Sequence, residues 1–365
     1  MEIRMQSPVG ARVVFNGREC DYFSGTGYLG LQSHPEVIQA ATEAIQRYGL
    51  FTGTSRGGYG ESPLYDELES EACAYFGVEK VVYYASGYLG MLILTQTNRT
   101  GYEHIFIDES SHFSIWDGSQ ATNRQITPFH HCNPQHLAET LRRELLPGER
   151  PLVLSDGVFP ISGEIAPLPD YVKLAESYGG MVYIDDAHAV GVLGEHGRGT
   201  MDYYNLDTTS CRFACTLSKA LGGYGGLIPG KAGWIDNIDR NARVLVGASP
   251  PPLVVAAASA RALSLARRDP SIRQRLQSNV KHARDGLRAL GWSMADTPVP
   301  ILCLGVRPGI NLERLKAALF ERDICVAHVR NYSSTPPGGA LRIAIFATHT
   351  FEQIDRLVGE MGILI

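Results

Sequence analysis

Five short apolar runs constrain the fold of this chain more than any other feature: KVVYYA (80–85), HIFID (104–108), PLVLS (151–155), MVYID (181–185) and RFACT (212–216). Each run is continuous rather than alternating, the pattern of a strand buried on both faces. Among them lie stretches with apolar residues at helical spacing: YDELESEACAYF (65–76), PQHLAETLRREL (134–145) and LPDYVKLAESYG (168–179), the last leading straight into MVYID. Strands alternating with helices predict an α/β architecture, a mostly parallel sheet covered by helices.

The character changes after about residue 245. Pro250, Pro251 and Pro252 break the chain, and long helical patterns follow at 254–268 and 272–290. Strand candidates PILCLGV (300–306) and ALRIAIF (340–346) then flank a helix at 311–323. A chain of 365 residues exceeds one typical core. The expected division is an N-terminal segment over 1–30, a large domain over 31–245 and a smaller α+β domain over 246–365.

With 44% hydrophobic and 19% charged residues, the chain has material for a large core. Its formal charge of −5 gives no general attraction to nucleic acid or to an anionic membrane. The seven cysteines are odd in number and include no Cys-x-x-Cys, which reads as reduced thiols rather than a disulfide framework or zinc site; no metal is expected. MEIRMQSPVG lacks the apolar core of a signal peptide, and the run LVVAAASA (253–260) stops at Arg261. The expected location is the cytoplasm.

Gly25-Thr26-Gly27-Tyr28-Leu29-Gly30 matches the dinucleotide pattern G-x-G-x-x-G, but the helix signal begins only after His34-Pro35, so the context for a nucleotide is wrong. Two other stretches carry chemistry. MVYID ends in Asp185-Asp186, with His188 close behind, at the strand end where α/β proteins bind ligands. By itself this pair could equally cap a helix on the surface. RFACT leads to Lys219, one of only six lysines, with Thr216 and Ser218 before it and Gly222, Gly223, Gly225 and Gly226 after it. The glycines are expected to let backbone approach a ligand. A lysine held there can have a lowered pKa and form a Schiff base. A lysine, a carboxylate for a pyridinium nitrogen and small residues near a phosphate are three parts of a pyridoxal phosphate site.

The chain resembles the α-oxoamine synthase family of fold-type I pyridoxal phosphate enzymes, which join a small amino acid to an acyl-coenzyme A with loss of carbon dioxide. The resemblance runs from about residue 20 to the end and is most specific in DDAHAVGVLGEHGRG (185–199) and TLSKALGGYGG (216–226). YLGLQSHP (28–35), SGY (86–88), DESSHFSIWDG (108–118), DGVFPISGEIAPL (156–168) and LRIAIFATHT (341–350) also match. It implies that Lys219 holds the cofactor and then acts as acid and base at the substrate α-carbon. Asp185 would bind the pyridine nitrogen, His188 would donate to the ring hydroxyl, and His112 would stack on the ring. Ser86, Gly87 and Tyr88, with Thr216, would hold the phosphate at a helix start. Arg342 would pair with the substrate carboxylate. It also implies a homodimer with shared sites.

Several positions depart from the family pattern. Thr26 and Gly27 stand where an Asn is usual before Tyr-Leu-Gly, Pro160 replaces a Ser, and Cys132 replaces an Asn. Ser333-Ser334-Thr335-Pro336 replaces Pro-Thr-Val-Pro, Ala340 replaces an Arg, and Gly247-Ala248-Ser249 precedes the three prolines. These changes leave an aminotransferase on the same fold as an alternative. A non-catalytic partner subunit is a weaker one, because the lysine and the acid are both present.

Overall fold

In a computed structural model the chain is described over residues 3–365. Its strands, in chain order, are β1 (Arg12–Phe15), β2 (Arg18–Phe23), β3 (Lys80–Tyr84), β4 (His104–Asp108), β5 (Gln125–Phe129), β6 (Pro151–Asp156), β7 (Met181–Asp185), β8 (Cys211–Thr216), β9 (Gly226–Gly230), β10 (Ile301–Gly305), β11 (Ile324–Val329) and β12 (Ala340–Ala344). All five runs that opened the sequence reading are strands of one seven-stranded sheet, ordered β3-β9-β8-β7-β6-β4-β5. The neighbours from β5 to β8 pair in parallel, and only β9 runs the other way. The buried faces of β4, β6 and β7 hold Ile105, Phe106, Ile107, Leu152, Val153, Leu154, Val182 and Ile184 with no measurable exposure, which is why these runs do not alternate.

β9 and β5 were not expected. GGLIPG reads as a turn because of its glycines and Pro229, and QITPF carries Pro128, which an edge strand tolerates. The second sheet is ordered β1-β2-β11-β12-β10. The N-terminal hairpin β1–β2 joins it through a parallel pairing of β2 with β11, so residues 12–23 share a sheet with the C-terminal strands. The helix Leu253–Arg268 packs against Pro35–Tyr48 and Pro63–Phe76 through buried Ala256, Ala257, Ala260 and Leu263. Small residues on that face let the helix backbones come close. No helix of the described residues is long and apolar enough to cross a membrane.

Parallel pairing brings the ends of the central strands level. Asp156 at the end of β6 pairs with Asp185 at the end of β7, and Asp185 pairs with Ala214 of β8. The loop from Thr216 to Lys219 therefore leaves the sheet beside two acids.

Candidate active site

Lys219, Asp185, His188, His112, Ser86, Gly87, Tyr88, Thr216 and Arg342 all line one cavity of about 370 Å³ at this edge of the large sheet. Thr26, Ser114, Asp156, Pro160, Tyr332 and others complete its wall. The N-terminal segment, four strand ends and the C-terminal sheet all contribute. Such convergence is not visible in any single stretch of sequence.

The Lys219 amine makes no hydrogen bond or ion pair among the described residues. Burial lowers its pKa; the carboxylates of Asp185 and Asp156 oppose this, and Arg342 adds to it. A lowered pKa favours the neutral amine, the nucleophilic form. Asp185 accepts from Ala187 N at 3.0 Å and lies 3.3 Å from the Ser114 hydroxyl, which leaves lone pairs for a further donor. Asp156 accepts from His112 N at 2.8 Å. Burial and the adjacent Asp185 carboxylate push its pKa well above the usual range, which favours the protonated acid at Asp156. Asp186 faces away from the cavity. It is fully buried against Thr200, accepting its N–H at 2.7 Å and bonding its hydroxyl, and burial raises its pKa to about 7. Of the two adjacent acids, only Asp185 is available to a ligand.

A relay joins His188 to Arg342. Arg342 Nη2 donates to the Tyr28 hydroxyl at 3.0 Å, and that oxygen lies 2.8 Å from His188 Nδ1. The Tyr28 oxygen accepts from the guanidinium and is in hydrogen-bond contact with Nδ1. Burial lowers the His188 pKa well below its ordinary value, so the ring is neutral and one of its two nitrogens carries a proton. Arg342 also donates from Nε to Pro160 O at 2.7 Å and from Nη1 to Gly25 O at 3.0 Å. Three of its five N–H groups are thereby fixed and two remain. Arg342 lies in β12 and is 6% exposed, which rules out a solvated strand face. Pro160, which lacks the usual hydroxyl, contributes its carbonyl to the arginine.

At the other end of the cavity, Ser86 caps the turn Gly87–Leu89, accepting from Tyr88 N at 3.3 Å, and the helix Gly90–Thr97 continues from it. The Thr216 hydroxyl lies 2.8 Å from that of Ser218. A Cβ on Gly87 would stand 2.7 Å from Thr216 Cβ, so only glycine lets this turn close against β8. The four glycines after Lys219 serve a different purpose from the one expected: none lines the cavity. A Cβ on Gly222 would meet Gln32 N at 2.3 Å, and one on Gly225 would meet Tyr84 O at 2.6 Å. They pack the lysine loop against protein, not ligand. The side chain of Tyr88 is 45% exposed and its hydroxyl bonds Asp117, which pushes its pKa up to about 12, so it is not a core residue.

A helix-start turn with hydroxyls, an amine without a partner and a carboxylate with free lone pairs, set along one cavity, fit the phosphate, aldehyde and ring nitrogen of pyridoxal phosphate. The aminotransferase class I and II family matches residues 23–361. The chain belongs to that family. It is 33% identical over 361 residues to an 8-amino-7-oxononanoate synthase of Methylococcus capsulatus, spanning 98% of this chain and 92% of the relative. A second 8-amino-7-oxononanoate synthase, from Thermoanaerobacter pseudethanolicus, is 31% identical over 352 residues, covering 96% and 89%. Among solved structures, Sphingomonas wittichii serine palmitoyltransferase superposes with a TM-score of 0.92 at 27% identity, over 99% of this chain and 91% of the other. A serine palmitoyltransferase from S. paucimobilis, solved with a bound PLP–myriocin aldimine, gives 0.92 at 28% identity, over 100% and 92%. Within the family, the chain is an α-oxoamine synthase relative with the fold-type I architecture of pyridoxal phosphate enzymes.

Sequence reasoning missed Asp156, Ser114, Tyr28 and Tyr332. The first three lie inside stretches that matched the family, but residue type alone assigns them no contact. Tyr332 lies in a stretch that departs from the family, so nothing pointed to it.

Proposed function

We propose that this protein is a pyridoxal phosphate-dependent acyltransferase that condenses a small amino acid with an acyl-coenzyme A and releases carbon dioxide and free thiol. The observation that carries this reading is Lys219: a half-buried lysine whose amine has no hydrogen-bond partner, beside Asp185, in the cavity that Arg342 enters with two unused N–H groups. The bound cofactor supplies an electron sink for the amino-acid α-carbon. Lys219 Nζ holds the cofactor and then takes the α-proton. Asp185 holds the pyridine nitrogen in its protonated form. His188 Nε2 donates to the ring hydroxyl, His112 covers the ring, and Ser86, Gly87, Tyr88 and Thr216 receive the phosphate. The two free N–H groups of Arg342 grip the substrate carboxylate. A bond forms between the α-carbon and the thioester carbonyl carbon, and the C–S bond breaks with its pair on sulfur. The carboxylate leaves as carbon dioxide and the α-carbon regains a proton from Lys219.

The activities of the relatives favour condensation over transamination. The test is product analysis of the holoenzyme with glycine, alanine or serine and a series of acyl-coenzyme A donors. Matched release of carbon dioxide and free thiol is expected; a keto acid with neither product overturns the reading.

A homodimer with shared sites belongs to the same proposal. A second cavity of about 700 Å³ is lined by Arg56, Tyr84, Leu89 and the 244–251 loop, and Tyr84 and Leu89 flank the Ser86–Tyr88 turn. A second copy seated there would reach the phosphate end. Sedimentation at micromolar concentration should give twice the chain mass. The division into an N-terminal segment over 1–30, a domain over 31–245 and another over 246–365, and a cytoplasmic location, are part of the proposal; the parallel pairing of β2 with β11 and seven free thiols support them.

A further inference from the structure

Tyr332 stands on the loop between β11 and β12 and lines the cavity. Its hydroxyl lies 2.6 Å from His112 Nε2. Its ring meets His112 at 5.7 Å between centroids and Phe113 at 5.6 Å, both edge-on. The loop is tied across the cavity on either side: the Ser333 hydroxyl donates to Ser110 O at 2.8 Å, and Ser334 Oγ accepts from Ser162 N at 3.4 Å. The ring is thus fixed by the very residues that depart from the family pattern.

The far side of the imidazole sets the direction of the Tyr332 hydrogen bond. His112 caps the helix Phe113–Gln120, and its Nδ1 accepts the Ser114 N–H at 3.2 Å. Nδ1 therefore carries no proton. Burial lowers the His112 pKa, so the ring is neutral and its proton sits on Nε2. Nε2–H then donates to the Tyr332 oxygen. Burial also raises the Tyr332 pKa, so the phenol keeps its own proton. That O–H is spent on neither His112 nor any other acceptor among the described residues. The Ser114 hydroxyl gives its one proton to Nδ1 at 2.7 Å, so this nitrogen accepts from both donors of Ser114, and the Ser114 oxygen lies 3.3 Å from Asp185. A continuous file of Asp185, Ser114, His112 and Tyr332 runs from the strand end to the cavity mouth.

Building on the condensation reading above, we propose that Tyr332 is a further catalytic residue whose hydroxyl donates a hydrogen bond to the carbonyl oxygen of the acyl donor as that oxygen takes up negative charge. When the α-carbon attacks, the C=O π pair moves to oxygen, where the donor stabilises it. When C=O re-forms, the C–S pair leaves on sulfur and Tyr332 has kept its proton throughout. Donors aimed at a developing oxyanion act mainly on kcat, because the ground-state carbonyl needs them less.

The test compares wild type with Tyr332→Phe, which keeps the ring and its packing. We expect kcat for condensation to fall about 100-fold, the scale of losing one such donor. KM for the amino acid should stay within about twofold. A thioether analogue of the acyl donor lacks the carbonyl oxygen, and both proteins should bind it equally. Unchanged kcat in Tyr332→Phe overturns the inference while condensation by wild type stands. Weaker binding of the thioether, in proportion to the lost kcat, also overturns it, because Tyr332 would then only seat the donor. If wild type itself yields no carbon dioxide and thiol, both readings fall.

Discussion

Two groups of buried charge lie side by side at the same edge of the large sheet, and they differ in how fully they are bonded. Around Asp108, at the end of β4, the carboxylate and the imidazole beside it are fully bonded. Asp108 is fully buried and accepts from Ser110 N at 3.0 Å, Cys132 N at 2.8 Å, His131 Nδ1 at 2.9 Å and the Tyr171 hydroxyl at 3.4 Å. His131 Nε2 meets Glu164 at 3.0 Å. Burial opposes charge on His131, but Asp108, Cys132 and Glu164 outweigh it and push the pKa up to about 12. Asp108, His131 and Cys132 place donor atoms within 4.8 Å of one another, yet the carboxylate and imidazole among them already serve protein. Around Asp185, two strands away, the Lys219 amine has no hydrogen bond and Arg342 keeps two N–H groups back. Saturated charge holds loops in place; unsaturated charge in a cavity is available for chemistry.

The sharpest way to break this contrast is Lys219→Ala. Turnover should fall by more than about 1,000-fold, as expected for losing both attachment and proton transfer. Thermal melting should move little, because the amine supports no contact. A variant that retains full activity would sink the proposed mechanism. Asp185→Asn comes next, with kcat lower by about 100-fold through the lost charge beside the cofactor nitrogen; steady-state rates of purified holoenzyme measure it.

His131→Phe tests the saturated side. It strands the Asp108 carboxylate in the core, and urea denaturation should show a loss of about 3 kcal/mol. Turnover per folded molecule should change far less than in Asp185→Asn. The same group sets a pH trend. Its folded pKa is raised above the unfolded value, so its contribution is complete below about pH 6.5 and declines as pH rises toward 12. Wild type should therefore lose stability between pH 7 and pH 9 more steeply than His131→Phe does.

The smallest effect is expected at Asp186. Its folded pKa of about 7 lies above the unfolded value, so ionised Asp186 costs stability as pH rises from about 4 through 7. The Asn carbonyl can accept the Thr200 N–H, and its NH2 can donate to the Thr200 oxygen in place of the bond that hydroxyl now donates to the carboxylate. Asp186→Asn should leave turnover unchanged and raise the melting temperature slightly at pH 8. A large activity loss there would erase the distinction between these adjacent acids.

The five central strands were legible because burial on both faces forces continuous apolar residues, which no other element of that length needs. The helices around them were legible from their spacing. The strands β1, β2 and β11 were not, since short mixed runs such as RECDYF take their structure from partners far along the chain. Nine candidate residues were named from sequence motifs, and all nine line one cavity. The resemblance to the α-oxoamine synthase family carried most of that result; residue type had pointed only to Lys219 with Thr216 before it, and to Asp185 with His188 behind it.

Sequence by itself determined the parallel sheet and the family, and it singled out the lysine. Tertiary structure supplied the reason that Asp185 and not Asp186 faces the cavity, because alternate residues leave a strand end in opposite directions. It turned the glycine run from ligand to protein, through close approaches to Gln32 and Tyr84. It also brought Tyr332 to His112 across 220 residues of chain. Periodicity and composition record what a residue avoids or prefers; which partner it finds depends on where distant segments pack.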